Sequence, residues 1–231
     1  MANPNLSNNP SLKDLMNIVK SEVMEAINCI QIGVIESFNA ANQTAEVNLA
    51  IKKVLNGAIK ETAVLVDCPV VILSGGVADI QLPITKGDTC LVFFCDSDID
   101  LWWASGVPQA PATGRKHSLT DGFALVGIRN KANAISGYSA NSFKLRYNDA
   151  IIELSASGIK IENGASNVTV SNAGGIKLES ASTLDITAPT INITGNVAVI
   201  GAILNNGVNI GNSHTHSGVT SGSSNTGPVA S

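Results

Sequence analysis

Two of the three histidines of this 231-residue chain stand near its C-terminus, in the segment NIGNSHTHSGVTSGSS. In a β-strand, residues i and i+2 point to the same face, so His214 and His216 would project together while Thr215 points away. Neutral imidazoles are good ligands for iron(II), nickel and cobalt, which accept octahedral sets of them. The spacing predicts a metal site at His214 and His216 if several chains meet there. The alternative is an exposed pair that binds nothing.

A second group of possible ligands is the acidic loop Asp96-Ser97-Asp98-Ile99-Asp100, which begins like the calcium loop of an EF-hand. An EF-hand needs glycine at its sixth position and a bidentate glutamate at its twelfth, and this chain has Leu101 and Val107 there. We therefore expect a solvated turn in place of a calcium site. The paired Trp102 and Trp103 that follow are expected to pack against a neighbouring element.

Composition argues against several classes of function. The formal net charge is -4 and the fourteen basic residues are scattered, which argues against nucleic acid as the main partner. No stretch approaches the roughly 20 apolar residues of a membrane span, and no signal-peptide pattern is present, so we expect synthesis in a cytoplasm. Cys29, Cys68, Cys90 and Cys95 form no C-x-x-C pair, and we expect them to be small buried apolar residues.

The N-terminal segment NPSLKDLMNIVKSEVMEAI has apolar residues at helical spacing, and Ser11 with Asp14 resembles a capping box. It predicts one short amphipathic helix. The apolar stripe of this helix either folds back on its own domain or packs against other copies or a neighbouring subunit.

From about Gln31 to Ile135 the chain alternates between short apolar-patterned stretches and turns rich in Gly, Asn, Pro and Asp. The stretches are QIGVIESF, TAEVNLAIKKV, AVLVDCPVVIL, ADIQLPI, DTCLVFF and DGFALVGI. Strands of this length and spacing predict a small antiparallel barrel or sandwich.

The remaining sequence, from about Asn148, has no Phe, Tyr or Trp, and Asp185 is its last charged residue. Apolar residues alternate with polar ones in GIKIENG, NVTVSN, GIKLES, TLDIT, TINIT and NVAVIG, which predicts strands with one apolar face each. One chain offers too few large side chains to enclose a core. Three chains could do so, with their Ile and Val side chains meeting on an axis and no sheet edge left open. We therefore expect an intertwined trimeric β-helix.

Two segments of the barrel region, LPITKGDTCLVFFCDSDIDLWWASG and RKHSLTDGFALVGI, resemble the N-terminal OB-fold domain of phage tail spike proteins. Together with the aromatic-free repeat and the ending HTHSGVTSGSSNTGPVAS, they make nearly the whole chain similar to the central membrane-piercing spike of contractile phage tails. The N-terminal helix has no counterpart in this resemblance.

The resemblance implies a mainly β protein with an N-terminal helix (1–30), an OB-fold adaptor domain (31–135), a trimeric β-helix (136–213) and a metal-bound apex (214–231). It implies one iron ion (Fe²⁺) per trimer, held by His214 and His216, with other octahedral divalent metals possible. The implied partners are two further copies of the chain, the baseplate hub protein and the outer membrane of the host bacterium, with no nucleic acid and no small-molecule substrate. The implied location is the virion, at the tip of the tail baseplate.

Two other functions are alternatives to this non-enzymatic, mechanical one. A trimeric receptor-binding fibre tip would display aromatic side chains for sugar or protein contacts, and the apex has none. A metal enzyme using His214 and His216 would need a carboxylate ligand or general base nearby, and no Asp or Glu follows Asp185.

Overall fold

The computed structural model describes residues 11–55, 58–61 and 63–211, together with residues 214, 218 and 222. The chain divides into two compact units between Tyr138 and Ser139. We call the described residues before this boundary the barrel unit and those after it the C-terminal unit. Strands dominate both units, so the prediction of a mainly β protein is confirmed.

The barrel unit contains two helices, nine strands and a short 3₁₀ turn among its described residues. These are α1 (Leu12–Ala26), β1 (Ile30–Asn39), β2 (Thr44–Leu49), β3 (Lys53–Leu55), β4 (Ala58–Lys60), β5 (Leu65–Pro69), β6 (Leu73–Gly75), β7 (Ala78–Ile80), β8 (Thr89–Phe94), α2 (Asp100–Ser105), β9 (Gly122–Val126) and the 3₁₀ turn Lys131–Asn133.

Helix α1 confirms the predicted N-terminal helix and its capping box. Ser11 Oγ accepts a hydrogen bond from the Asp14 N–H (3.3 Å), and the Asp14 carboxylate accepts one from the Ser11 N–H (3.1 Å). No residue of the helix is buried, and its apolar stripe ranges from 46% exposed at Leu15 to 76% at Leu12. The stripe is therefore not folded back on its own domain, so the first of its two expected placements was wrong. Packing against other copies or a neighbouring subunit stays a prediction.

Five strands form one curled antiparallel sheet in the order β5-β2-β1-β8-β9. A β-bulge between Ile35 and Ser37 interrupts the register of β1 on β2, and bulges of this kind increase sheet curvature. The two edges approach each other, since Val70 forms a parallel bridge with Ala124 and the Val71 N–H donates to the Ala124 carbonyl (2.9 Å). The result is a partly open five-stranded barrel, the strand number of the predicted OB-fold.

The barrel encloses a small aliphatic core that is built from alternate residues of these strands. Ile35, Val47 and Val92 are fully buried at its centre. The complete set of buried apolar side chains is Ile35, Ala45, Val47, Leu49, Leu65, Cys68, Val70, Cys90, Val92, Phe94 and Ala124. This unit therefore completes its hydrophobic core within one chain.

The described C-terminal unit begins with five strands of an antiparallel meander, in which each strand pairs with the next along the chain. They are β10 (Ser142–Tyr147), β11 (Ala150–Ser155), β12 (Gly158–Asn163), β13 (Ser166–Ser171) and β14 (Ile176–Glu179). β12, β13 and β14 confirm the strands predicted from GIKIENG, NVTVSN and GIKLES. The pairing is local and antiparallel, and it lies within a single chain.

Tight turns set the register of this meander. Two residues separate β10 from β11, β11 from β12 and β12 from β13, so that Tyr147 faces Ala150 and Ser155 faces Gly158. Asn148 adopts a positive φ of 52° in the first turn, a conformation that Asn tolerates well. Gly158 has φ 130°, and a Cβ there would lie 2.0 Å from the Val170 carbonyl oxygen, so only glycine fits.

After β14, the prediction of strands was wrong for the single chain. TLDIT, TINIT and NVAVIG form no strand in the described structure, although their apolar residues alternate. A strand needs a hydrogen-bonded neighbour, and the described part of this chain provides none for these segments. Pairing returns only in the hairpin of β15 (Leu204–Asn205) and β16 (Val208–Asn209), whose Asn206-Gly207 turn has positive φ at both residues.

The barrel region also departs from its sequence pattern in two places. TAEVNLAIKKV is divided between β2 and the short β3, and ADIQLPI forms a strand only over β7. Helix α2 begins at Asp100, the last residue of the acidic loop, and the sequence pattern did not predict it. Among the described residues, no helix is both long and apolar enough to span a membrane.

Candidate functional site

The most unusual surface of the described chain is one face of the β10–β14 sheet, which we call the apolar sheet face. Cross-strand neighbours form two rows of five apolar residues on it. The rows are Phe143, Leu154, Ile159, Val170 and Ile176, and Leu145, Ile152, Ile161, Val168 and Leu178. Nine of these ten side chains are between 38% and 75% exposed, so the face is covered by nothing within its own unit.

The opposite face of the same sheet carries paired charges. Lys144 Nζ lies 3.2 Å from the Glu153 carboxylate across β10 and β11, and Lys160 and Lys177 each lie 2.5 Å from a glutamate of their own strand. A hydrogen bond from Ser142 and then Lys144 lower the pKa of Glu153, and the hydrogen bond to Glu162 raises the pKa of Lys160. This face satisfies its charges within one chain and is suited to solvent.

The contrast between the two faces makes the apolar one a candidate contact surface. Isolated exposed apolar residues are common on protein surfaces, but a contiguous patch of this size marks an interaction surface. The patch consists of aliphatic side chains and one Phe at regular cross-strand spacing, as in a protein core.

His214, the first of the two predicted metal ligands, follows the β15–β16 hairpin and lies outside any strand. Its backbone N–H donates to the Gly211 carbonyl (3.2 Å), and its Nδ1 also contacts that carbonyl oxygen. A ring that donates from Nδ1 has its lone pair on Nε2, and a backbone carbonyl at the other nitrogen is the usual support of a metal-binding imidazole. The metal site at His214 and His216 stays a prediction, because His216 and Thr215 lie outside the described residues.

The acidic loop is organised around a residue that the sequence reasoning missed, Arg115. Its Nη2 lies 3.0 Å from an Asp98 oxygen, 2.8 Å from Asp100 and 2.9 Å from Asp121, and its Nε donates to Asp121 (3.0 Å). The side chains of Asp98 and Asp121 are completely buried. The expectation of a solvated turn was therefore wrong for Asp98, because the loop folds over a buried ion-pair cluster.

The same geometry bears on metal binding in the loop. Oxygens of Asp98, Asp100 and Asp121 lie within 4.8 Å of one another, as cation ligands would. The Arg115 guanidinium is already placed between them and supplies the positive charge. A hydrogen bond from Thr113 Oγ1 to Asp98 (2.7 Å) is the main cause that lowers the Asp98 pKa, with further contributions from the Asp100 N–H and Arg115. These ion pairs hold the loop before α2 in a fixed conformation.

Trp102 and Trp103 are neighbours in helix α2, which follows the acidic loop. Trp102 makes an edge contact with Phe123 of β9 at a ring-centroid distance of 6.0 Å, which confirms the expected packing for this residue. Trp103 touches Trp102 (6.3 Å) and keeps 44% of its surface exposed. Trp102 thus attaches the helix to β9, although it is as exposed (45%) as Trp103.

The cysteines follow the expectation only in part. Cys68 and Cys90 are buried, and burial raises their pKa values to about 12 and about 11, which keeps both thiols protonated and unreactive. Cys95 is half-buried and Cys29 is exposed, so the prediction of burial was wrong for Cys29.

Residues 32–127 match the family described as phage protein Gp138 N-terminal domain. The matched range runs from β1 through β9 and covers the whole curled sheet, while the C-terminal unit lies outside it. No curated protein sequence matches the chain. The barrel unit is therefore similar to a phage protein domain, which is consistent with a structural protein of the virion.

Proposed function

We propose that this chain is the central spike of a contractile phage tail baseplate, a homotrimer that is driven through the outer membrane of the host bacterium. The observation that carries the proposal is the exposed apolar sheet face, on a chain whose barrel unit is similar to a phage protein domain. A piercing device needs a stiff shaft, and three such faces packed together would form one.

Assembly follows from the energetics of the apolar sheet face. Complete burial of an aliphatic or Phe side chain is worth about 1.5–3 kcal/mol, so ten half-exposed side chains represent on the order of 10 kcal/mol per chain. That gain can exceed the cost of association only if the faces are buried together. The charged face of each sheet would then remain in water.

The unpaired segments after β14 fit the same proposal. Leu184, Ile186, Ile191 and Ile193 alternate with polar residues but have no partner strand in the described part of the chain. In an intertwined trimer, neighbouring chains would supply the missing ladders. In the shaft, the strands β10–β14 would pair within one chain, and the segments after β14 would pair with strands of neighbouring chains.

At the tip, His214 and His216 of three chains would hold one iron(II) ion, and nickel or cobalt could replace it. The ion would supply six coordinate bonds where a chain end is otherwise prone to fray. The role of His214 is supported by its Nδ1 contact with Gly211, whereas that of His216 rests on the sequence spacing alone. No chemical step is required of the metal, because its role is to fix the terminal segments under load.

The barrel unit would act as the adaptor that joins the shaft to the baseplate hub protein. Asp100 lines the same cleft as Trp103, and a carboxylate beside a partly exposed aromatic ring argues against nucleic acid as the partner. The proposed location is accordingly the tip of the tail baseplate in the virion, and the proposed role is mechanical and not enzymatic.

The decisive experiment measures mass and metal content on the full chain purified without chelators. We expect a trimer by sedimentation and one iron-group metal ion per three chains. Replacement of both His214 and His216 by Ala should remove the metal and leave the trimer intact, since the apolar sheet face is unchanged.

The third histidine provides a matched control. His117 lies in the barrel unit, where its Nδ1 is 3.2 Å from the Asn28 carbonyl oxygen, and His117→Ala should keep the metal. A monodisperse monomer would contradict the spike itself. A trimer that contains no metal, or a double variant that keeps its metal, would contradict only the tip site.

A further inference from the structure

A cleft of about 590 Å³ opens on the barrel unit where β2 and β5 meet the loop that carries α2. Its volume lies within the roughly 300–1,000 Å³ that is usual for small-ligand sites. The side chains that matter here are Asn42, Val66, Asp67, Asp100, Trp103 and Thr120. The cleft is built by a single chain and does not depend on the proposed function.

Trp103 forms the aromatic wall of this cleft. Its backbone N–H donates to the Ile99 carbonyl (2.8 Å), which fixes it in the first turn of α2, and its neighbour Trp102 is anchored on Phe123. Within the part of the chain that the structure describes, the indole N–H of Trp103 has no acceptor. A partly exposed ring on a short, well-anchored helix is a preorganised surface for a flat apolar group.

The polar side of the cleft consists of acceptors and a neutral amide. Asp67 adopts a left-handed backbone conformation (φ 50°), which is uncommon for a residue with a side chain. Neither the Asp67 carboxylate nor the Asn42 amide is bonded to another side chain among the described residues. Asp100 is held in place by Arg115, which reaches it from the buried ion-pair cluster (2.8 Å).

The charge of the cleft narrows the class of ligand. None of the described residues that line it is a lysine or an arginine, while two are aspartates. A phosphate or a nucleic acid backbone would be repelled by these carboxylates. A neutral polyhydroxylated ring is accommodated, because its hydroxyls donate to carboxylates in charge-assisted hydrogen bonds and its C–H face lies on the indole.

We infer that this cleft binds a neutral saccharide, with a pyranose ring stacked on Trp103 and ring hydroxyls bonded to Asp67, Asp100 and Asn42. This adds a small-molecule ligand to a protein for which the sequence predicted none.

The two tryptophans of the chain allow a direct test by fluorine NMR on the full-length protein labelled with fluorotryptophan, which gives one signal for each. The probes are maltotriose, cellotriose and chitotriose, each titrated through the millimolar range, with calcium chloride as a separate arm. We expect at least one trisaccharide to shift the Trp103 signal saturably and to move the Trp102 signal less. The Trp103→Phe variant assigns the two signals.

Two aspartate variants test whether the Asp67 carboxylate contributes to saccharide affinity. Asp67→Asn should weaken saccharide binding about tenfold or more, because it removes a charged acceptor. Asp149→Asn, at an exposed turn of the C-terminal unit, should leave the affinity unchanged. Trp103→Ala should abolish saccharide binding, as measured by calorimetry.

Three outcomes would overturn the inference. The first is the absence of a saturable shift with all three trisaccharides, and the second is equal affinity for Asp67→Asn and Asp149→Asn. The third is a response of the Trp103 signal to calcium alone, which would assign the cleft to a cation.

Discussion

The five-stranded sheet of the barrel unit and the β10–β14 sheet of the C-terminal unit have the same number of strands, yet they differ in how far they bury their apolar side chains. In the barrel, Ile35, Val47 and Val92 are completely buried because the sheet curls until β5 approaches β9. In the C-terminal unit, β10–β14 form an open meander whose apolar rows remain exposed. The two sheets differ because the first curls until its edges meet and the second stays open, although apolar residues alternate with other residues in the strands of both.

This comparison indicates how stability is distributed along the chain. A barrel with its own core gains its hydrophobic free energy when one chain folds. A sheet with one uncovered apolar face gains most of it on association, so its stability depends on protein concentration. Mutations in the barrel core should therefore change the free energy of unfolding, whereas mutations on the apolar sheet face should change the mass of the assembly.

The largest effect is expected from Val170→Lys, within one row of the apolar sheet face. Val170 lies between Ile159 and Ile176, and assembly would bury the new charge without a partner. The penalty is several kcal/mol for each buried charge, which should prevent trimer formation. Sedimentation velocity should show a monomer whose barrel unit retains its tryptophan fluorescence.

A matched control is present in the same strand. Asn167 lies on the charged face between Glu162 and Glu179, so Asn167→Lys adds the same side chain where carboxylates and water receive it. This variant should assemble normally. Equal loss of assembly in both variants would mean that the apolar face is not the interface.

An intermediate effect is expected from Gly33→Ala in the barrel core. The added Cβ would lie 2.4 Å from Val47 Cγ1 and 2.9 Å from Cys90 Sγ, both of which are buried. Overpacking of this kind costs about 1–3 kcal/mol. Urea unfolding followed by tryptophan fluorescence should show this loss, with no change in the mass of the assembly.

Gly75→Ala serves as the control for the added methyl group. Its Cβ would meet no atom within 4 Å, and the stability change should remain within about 0.5 kcal/mol. If Gly33→Ala is equally harmless, the barrel core must be looser than its side-chain contacts imply.

The smallest effect is expected in acid, from Thr113→Val. The Thr113 hydroxyl is the main cause that lowers the Asp98 pKa in the folded protein. Because the pKa of Asp98 is lower in the folded protein than in the unfolded chain, its ionised form stabilises the fold above the unfolded pKa of about 3.9. This stabilisation is lost as the pH falls through the folded pKa. Removal of the hydroxyl should therefore reduce barrel stability at neutral pH slightly and flatten its dependence on pH below about 4.

The Gly33→Ala variant also controls this measurement, since its added methyl group does not titrate. Its stability curve should be lower at every pH with the same shape. A Thr113→Val curve that is merely lowered in the same way would show that the hydroxyl does not act through the ionised Asp98.

Local patterns were sufficient to predict helix α1 and the strands β12, β13 and β14. Their signals are contained in a few neighbouring residues: the Ser11–Asp14 capping box and strict alternation between turns. The same alternation failed for Leu184, Ile186 and Ile191, where no strand forms in the single chain. Alternation indicates that a segment can be a strand, but the hydrogen-bond partner must come from elsewhere.

The sequence by itself determined the mainly β architecture, the presence of the N-terminal helix and the two-faced character of β12, β13 and β14, because periodicity and turn residues act over short distances. It also provided the histidine pair as a prediction. Only the tertiary structure decided that Arg115 joins Asp98, Asp100 and Asp121, and that Trp103 and Asp67 line one cleft. Asp67 and Trp103 are far apart along the chain, and the fold of the barrel unit brings them together, whereas Asp98, Asp100, Arg115 and Asp121 all belong to the connection between β8 and β9.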